Sequence, residues 1–240
     1  MSSSIQVAAL RSGWATYALC GAMLMGCGTE NGEPDPRPEV GVTVAALDIG
    51  VGSLNSAWSG KQQSLHASLS RPASSNDYVH GFSIGERSDD PCYFAALYND
   101  IDNPANLDGN EVWDECDGGA GNLLAANMPN DYRTTGVAVC LNGDKMKGFA
   151  LIGRYPECIL DPNGVTPTGA PCNGAGPRQE AIEERTNCPG SRNGIDSDWA
   201  DEAECPPGYV VTGLDLNHIA GGGNRQMING VRAICNPLLP

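Results

Sequence analysis

The side chains of this sequence that could do chemistry are three histidines, a set of cysteines and two acidic clusters. His66, His80 and His218 lie far apart, and no H-x-H or E-x-x-H pair marks a metal site. A serine–histidine–aspartate set forms in space rather than in sequence. No G-x-S-x-G elbow accompanies the histidines, however, and the serines sit in turn-like contexts, so no residue is assigned a catalytic role. Cys92, Cys116, Cys140, Cys158, Cys172, Cys188, Cys205 and Cys235 all follow Cys27. Their number is even and no C-x-x-C occurs, which favours four disulfides in an oxidising compartment over zinc and leaves no free thiol nucleophile.

The first acidic cluster holds Asp100, Asp102, Asp108 and Glu111 in a turn-rich stretch interleaved with asparagines. Calcium takes six to eight oxygens, and exported acidic loops can supply them, although Pro104 and Ala105 fall where an EF-hand needs a ligand and a glycine. The alternative is a solvated acidic loop. The second cluster, Asp196, Asp198, Asp201, Glu202 and Glu204, crowds the approach to the C-terminal strands. Glycoside hydrolysis would need two carboxylates facing each other at about 5 Å or roughly 6.5–9.5 Å, a distance that only a fold can supply. Trp58, Trp113 and Trp199 stand in polar surroundings. Such rings either stack on the apolar faces of sugars or plug the base of a structural repeat. Gly221-Gly222-Gly223-Asn224 lacks the lysine and the strand-to-helix setting of a phosphate loop. It reads as a hairpin tip, with Asn217 and His218 beside it as candidate ligand contacts.

These residues are carried by a chain rich in turns. Thirty-one glycines and 17 prolines punctuate short apolar runs, the pattern of an all-β domain with few or no helices. Leu123–Asn127 and Gln179–Arg185 are the two stretches that could carry a helical turn. Three segments share one pattern: Asn76 to Ile84, Asn130 to Val139 and Pro207 to Leu216. Each places a turn before a tyrosine, then a glycine, then alternating apolar residues. Alternation predicts that Phe82 and Ile84, Val137 and Val139, and Leu214 and Leu216 face a core. A unit of this size cannot bury its own face, so the copies must pack on one another. Each copy is preceded by a tryptophan. The formal net charge is −15, which disfavours nucleic acid and anionic headgroups as partners.

The first residues change the reading of the rest. Met1 to Gly26 holds one charged residue, Arg11, and an apolar run from Trp14 to Met25 too short to span a bilayer. The run ends in Leu24-Met25-Gly26-Cys27, which resembles the lipobox of bacterial lipoproteins. The resemblance implies cleavage of residues 1–26, acylation of Cys27, a membrane partner through that lipid, and a place at the outer membrane or cell surface. Residues 27–41 then form a proline-rich tether, extended by ~3.1 Å per residue where it is polyproline-like. Residues 42–240 remain for one domain of three repeats, about 50–110, 111–190 and 191–240.

The third copy runs Trp199, Cys205-Pro206-Pro207-Gly208, Gly213-Leu214 and Asn229-Gly230-Val231-Arg232-Ala233-Ile234-Cys235. This resembles the repeat of the vitelline membrane outer-layer proteins and implies their β-prism, three sheets around a pseudo-threefold axis. It also implies a Cys205–Cys235 disulfide closing the two strands of the last unit. Cys158–Cys172 is the next expected pair, because the loop between them needs tying. Cys116–Cys140 follows, which leaves Cys92–Cys188. The expected function is a non-catalytic binding or envelope-structural module, with glycan as the candidate ligand. An exported polysaccharide hydrolase using the acidic loops and a calcium-stabilised adhesion domain are the alternatives.

Overall fold

A computed structural model of the chain describes residues 46–173, 177–185, 188 and 199–240. The expected signal peptide, Cys27, the expected tether, Asp196 and Asp198 lie outside the described residues. Four short strands come first: β1 (Asp48–Ile49), β2 (Leu54–Asn55), β3 (Ser59–Gly60) and β4 (His66–Ser70). Next are β5 (Asp77–Arg87), β6 (Asp90–Asp100), β7 (Leu107–Asp114) and β8 (Gly121–Asn127). Then follow β9 (Arg133–Asn142), β10 (Lys145–Arg154), the helix α1 (Pro156–Leu160), β11 (Arg178–Glu184) and β12 (Ala203–Glu204). The hairpin of β13 (Tyr209–Ala220) and β14 (Gln226–Leu239) ends the chain.

The strands form three sheets. The first is ordered β7-β6-β5-β8, the second β11-β10-β9-β12, and the third joins the C-terminal hairpin to the N-terminal strands. There β4 pairs with β13 while β1, β2 and β3 pair with β14. Every sheet therefore has one plan: a long central hairpin, a strand beside its second arm, and a strand beside its first. The sheets also meet cyclically, β8 packing beside β11, β12 beside β14, and β4 beside β7. Among the described residues this is an all-β, prism-like, disulfide-stapled fold with one five-residue α-helix and a single 3₁₀ turn at Ala73–Ser75.

The repeat boundaries differ from the sequence expectation. The first two units span Asp77–Asn127 and Arg133–Glu204, and the third is split between the two ends of the chain. The tryptophans shift with them. Trp113 lies on β7 of the first sheet, Trp58 adjoins β3 of the third, and Trp199 bridges to Cys140 of the second. Each one belongs to the sheet before the tyrosine it precedes in sequence. Leu123–Asn127 and the Gln179–Arg185 stretch are also corrected: both lie in edge strands, β8 and β11. Pairing along β5 and β10 outweighs the weak helical preference of such short segments.

The glycines of the three copies explain why the pattern recurs. Gly81, Gly136 and Gly213 each sit beside the strand flanking the first hairpin arm, opposite Asn127, Glu204 and Ser70. A Cβ on Gly213 would lie 2.7 Å from the Ser70 Cβ and 2.8 Å from the Leu69 carbonyl oxygen. The residue just before each glycine, His80, Thr135 or Thr212, is bulged out of the hairpin ladder. After the glycine, Phe82, Ile84, Val137, Val139, Leu214 and Leu216 are all buried in one core shared by the three sheets. Phe149 packs edge-on against Phe82 and Phe94, with ring centroids 4.7 and 4.9 Å away. A smaller apolar cluster closes one end, built from Ile49, Tyr78, Ile101, Ile159, Val210 and Leu238. At the other end the three hairpin turns converge on the carboxylate of Asp90.

The disulfides pair Cys92 with Cys116, Cys140 with Cys188, Cys158 with Cys172 and Cys205 with Cys235. Two of the expected pairs, Cys116–Cys140 and Cys92–Cys188, are thus corrected. The β6–β7 pairing sets Tyr93 opposite Asp114 and brings the Cys92 and Cys116 Cα atoms within 4.9 Å, whereas Cys140 stands on β9 in another sheet. Cys205–Cys235 has the expected partners but a different task. It joins the end of the second sheet to β14 of the third and does not close one hairpin.

Candidate functional site

The residues singled out from sequence are placed apart. Trp113 is 8% exposed and lies against the His218 ring, centroids 5.5 Å apart. Trp58 is half-buried beneath the Arg232 guanidinium, 4.8 Å from its ring centre, and Trp199 is half-buried beside β9. Trp113 is thus buried between strands, whereas Trp58 and Trp199 each keep part of their surface exposed. Asn217 is fully buried. Its Nδ2 donates to the Lys61 carbonyl at 3.1 Å and to Asn229 Oδ1 at 2.7 Å, and its Oδ1 accepts from Gln63 N–H at 3.0 Å. It clips the 61–63 segment to the last hairpin and is not a ligand contact. His218 is partly exposed, with Nδ1 3.4 Å from Gln226 Oε1.

The acidic candidates are also separated. Asp100 Oδ1 accepts from the backbone N–H groups of Asp102 and Asn103, and Asp102 Oδ1 accepts from Leu47 N–H at 2.7 Å. Asp108 faces Arg71 at 3.4 Å, and Arg71 also holds the buried Asp77 at 3.0 Å. Glu111 is exposed on β7 opposite Ala96. Among the described residues no three histidine, cysteine, aspartate or glutamate side chains converge as a metal site would require.

Two hollows flank α1 at the end closed by the small apolar cluster. The larger has a volume of about 530 Å³ and lies between the turn at Asn130 and Asp131, the Pro104 turn and the outer side of α1. One wall is the ring of Tyr155, stacked on Tyr132 with centroids 4.3 Å apart. The hydrogen bond between the two hydroxyls, reinforced by burial, raises the Tyr132 phenol to about 12. Asn130, Asp131, Glu157 and Thr168 supply polar rim groups, all exposed. Beneath them lies Arg133, 5% exposed. Its Nη1 donates to the Asn130 carbonyl at 2.7 Å and its Nη2 to the Ile101 carbonyl at 2.8 Å, while the guanidinium stacks 5.1 Å from the Tyr78 ring centre. Arg133 thereby clamps two turns that form opposite walls of the hollow.

The smaller hollow, about 240 Å³, lies on the inner side of α1 and is lined by Thr135, Arg154, Glu204, Asn173 and Tyr209. Burial, followed by the adjacent Glu202 carboxylate, pushes the Glu204 carboxyl above its usual range. Glu202 is held by a bidentate bond from Arg178, at 2.8 and 2.5 Å. Two carboxylates in mutual contact and clamped by one arginine do not straddle a glycosidic bond at the separation that either hydrolytic geometry needs.

Sequence reasoning missed Tyr155, Arg133, Arg154 and Glu157. The Asn130-Asp131-Tyr132 turn was visible only as the start of a repeat, and nothing local marks Tyr155 as its stacking partner.

The sequence matches no protein family and no curated protein. Among solved structures, 78% of the chain is similar to 99% of Calystegia sepium agglutinin, at 10% identity and a TM-score of 0.37. A second likeness is to the Calsepa lectin in complex with bisected glycan, at 9% identity and a TM-score of 0.37, over 77% of this chain and 98% of that one. A third is to the V. cholerae biofilm matrix protein Bap1, at 12% identity and a TM-score of 0.35, over 80% of this chain. The chain spans 24% of the length of Bap1.

Proposed function

We propose that this protein is a non-catalytic glycan-binding module, carried at an envelope surface by an acylated Cys27 and a proline-rich tether. The observation that carries the reading is the larger hollow beside α1. A pyranose presents an apolar face and a rim of hydroxyls. The Tyr155 ring, fixed by its stack on Tyr132, offers the first a platform. Asn130, Asp131, Glu157 and Thr168 offer the second a set of hydrogen-bonding groups. At about 530 Å³ the hollow is within the ordinary size of a small-ligand site. It is also largely pre-formed, because Arg133 ties its walls together.

The four disulfides support an exported protein, since such bonds persist in oxidising compartments. The clamped Glu202–Glu204 pair supports binding ahead of hydrolysis. A glycan array on the full chain, run with and without calcium and repeated on Tyr155→Ala, tests the reading. Binding that is independent of calcium and falls at least tenfold in Tyr155→Ala is the expected result. No binding in either condition would remove the glycan reading and leave an envelope-structural role ahead.

A further inference from the structure

The three sheets have equivalent positions at this end of the prism, and one sheet breaks the pattern. The residues three places before the repeated glycines are Tyr78, Arg133 and Val210. Their partners on the second hairpin arm are Asn99, Arg154 and Asn236. In the first and third sheets the outer pair is an apolar residue beside a buried asparagine. Each asparagine donates to a loop carbonyl, Asn99 to Pro104 and Asn236 to Gly50 at 2.9 Å. The second sheet has two arginines instead. A third, Arg178, stands opposite Arg154 on β11, so three guanidinium side chains lie abreast across β9, β10 and β11.

Like charges directly opposite one another in a sheet are destabilising. The chain has 29 acidic residues, yet among the described residues carboxylates within 4 Å reach Arg178 alone of the three, from Glu180, Glu202 and Glu204, and Arg154 feels the Glu204 charge from farther off. Arg133 has carbonyl partners only, and its buried Nε has none among the described residues. Arg154 is half-buried and makes no hydrogen bond and no ion pair within 4 Å among the described residues. These two cations each line one of the hollows beside α1. A buried or half-buried guanidinium without a carboxylate is suited to receiving one from a ligand.

We propose that the two hollows are adjoining subsites for a carboxylated polysaccharide, with Arg154 binding the carboxylate of one uronate-type sugar and Arg133 setting the positive field beneath the next. The proposal rests on the glycan reading of the larger hollow and deepens it. Three carboxylates share the site. Asp131 and Glu157 stand at the rim of the larger hollow, where they accept sugar hydroxyls. Glu204 shares the smaller hollow with Arg154, where burial and the adjacent Glu202 carboxylate push its carboxyl above its usual range.

The test measures binding of the full chain to polygalacturonate, to its methyl ester and to monomeric galacturonate, with Tyr155→Ala, Arg154→Gln and Arg154→Lys as variants. The free polymer should bind at least tenfold more tightly than its methyl ester and more tightly than the monomer. Arg154→Gln should abolish the preference over the ester, Arg154→Lys should keep part of it, and neither should shift the melting temperature by more than a few degrees. Equal binding of polymer and ester, with sensitivity to Tyr155→Ala retained, overturns the acidic specificity and leaves the glycan reading standing. Unchanged affinity in Arg154→Gln overturns the role of Arg154. Binding of none of the three ligands overturns both readings.

Discussion

The carboxylate of Asp90, first residue of β6, lies 2.9 Å from the ammonium of Lys145, first residue of β10. It also accepts the backbone N–H of Gly222 at 2.9 Å and an Arg225 N–H at 3.2 Å, both at the turn of the third hairpin. One side chain thus ties together the tips of all three central hairpins. Burial alone would raise its pKa, but the bonds from Lys145, Gly222 and Arg225 outweigh burial and hold the carboxyl below its usual range. Asp90 is buried, so Asp90→Asn, which takes this carboxylate from Arg225 and leaves Lys145 with Asp89 at 3.4 Å, should cost about 2–3 kcal/mol. Because the folded pKa is depressed, this stabilisation is present above the ordinary carboxylate value and is lost as pH falls below that value and through the lower folded one. Urea titrations at pH 7 and pH 3 should show a large gap between wild type and variant at the first and a small one at the second.

His80 governs a different pH window. Burial, then the nearby Arg133 charge, lowers its imidazole from 6.5 to about 4, and Nδ1 lies 2.9 Å from the Tyr78 hydroxyl. The unfolded chain binds a proton at the higher value, the folded protein only at the lower. Stability present above pH 6.5 should therefore decline as pH falls toward 4, by up to about 3 kcal/mol. His80→Gln should flatten the melting temperature across that window. A slope unchanged in the variant would assign the decline to other groups.

The close approach at Gly213 predicts an unequal response among equivalent glycines. An alanine there meets Ser70 Cβ at 2.7 Å and a backbone oxygen at 2.8 Å, and the backbone cannot turn aside. At Gly136 the nearest atoms are the Glu204 Cγ at 3.0 Å, the Glu204 Cα at 3.1 Å and the Ala203 carbonyl oxygen at 3.2 Å, each a few tenths of an ångström farther away and all on the two-residue strand β12. Gly213→Ala should cost about 2–3 kcal/mol and Gly136→Ala less than about 1 kcal/mol, read by chemical denaturation. Equal losses would mean that β12 is held as firmly as β4.

The Cys205–Cys235 bond closes a 30-residue loop and joins two sheets. In the chain-entropy account such a loop contributes about 3.5–4 kcal/mol. Replacing both cysteines by serine should lower the melting temperature by about 10 °C. Peptide mapping without reduction should meanwhile recover Cys92 linked to Cys116 and Cys140 linked to Cys188.

How much of this was legible depended on whether the signal was local. The alternation after Gly81, Gly136 and Gly213 identified the inward residues because strand periodicity is a property of neighbours in sequence. The pairing of Ser70 with Gly213, or of Asp48 with Leu239, joins residues from opposite ends of the chain and leaves no local trace. That is why the third unit was drawn as contiguous and its tryptophan assigned one sheet too late. The site was less legible still. Tyr155 and Tyr132 are brought together by the β9–β10 hairpin, and Arg154 stands out only once Asn99 and Asn236 are seen at the matching positions of the other sheets.

The division of the third sheet between the two ends sets an order in time. The strands from Asp48 to Ser70 are made first, yet their partners, β13 and β14, are made last. The first two sheets can pair as they emerge, whereas the opening strands must wait, with their edges unsatisfied, for the whole body to be delivered. Long-range closure of this kind is slow and leaves a nascent edge open to stray pairing. The Cys205–Cys235 bond cannot form until Cys235, on β14 and after every strand of the other two sheets, has been made. Closure of the third sheet is therefore a late event, and a chain cut short anywhere before β14 leaves β1, β2 and β3 without their partner.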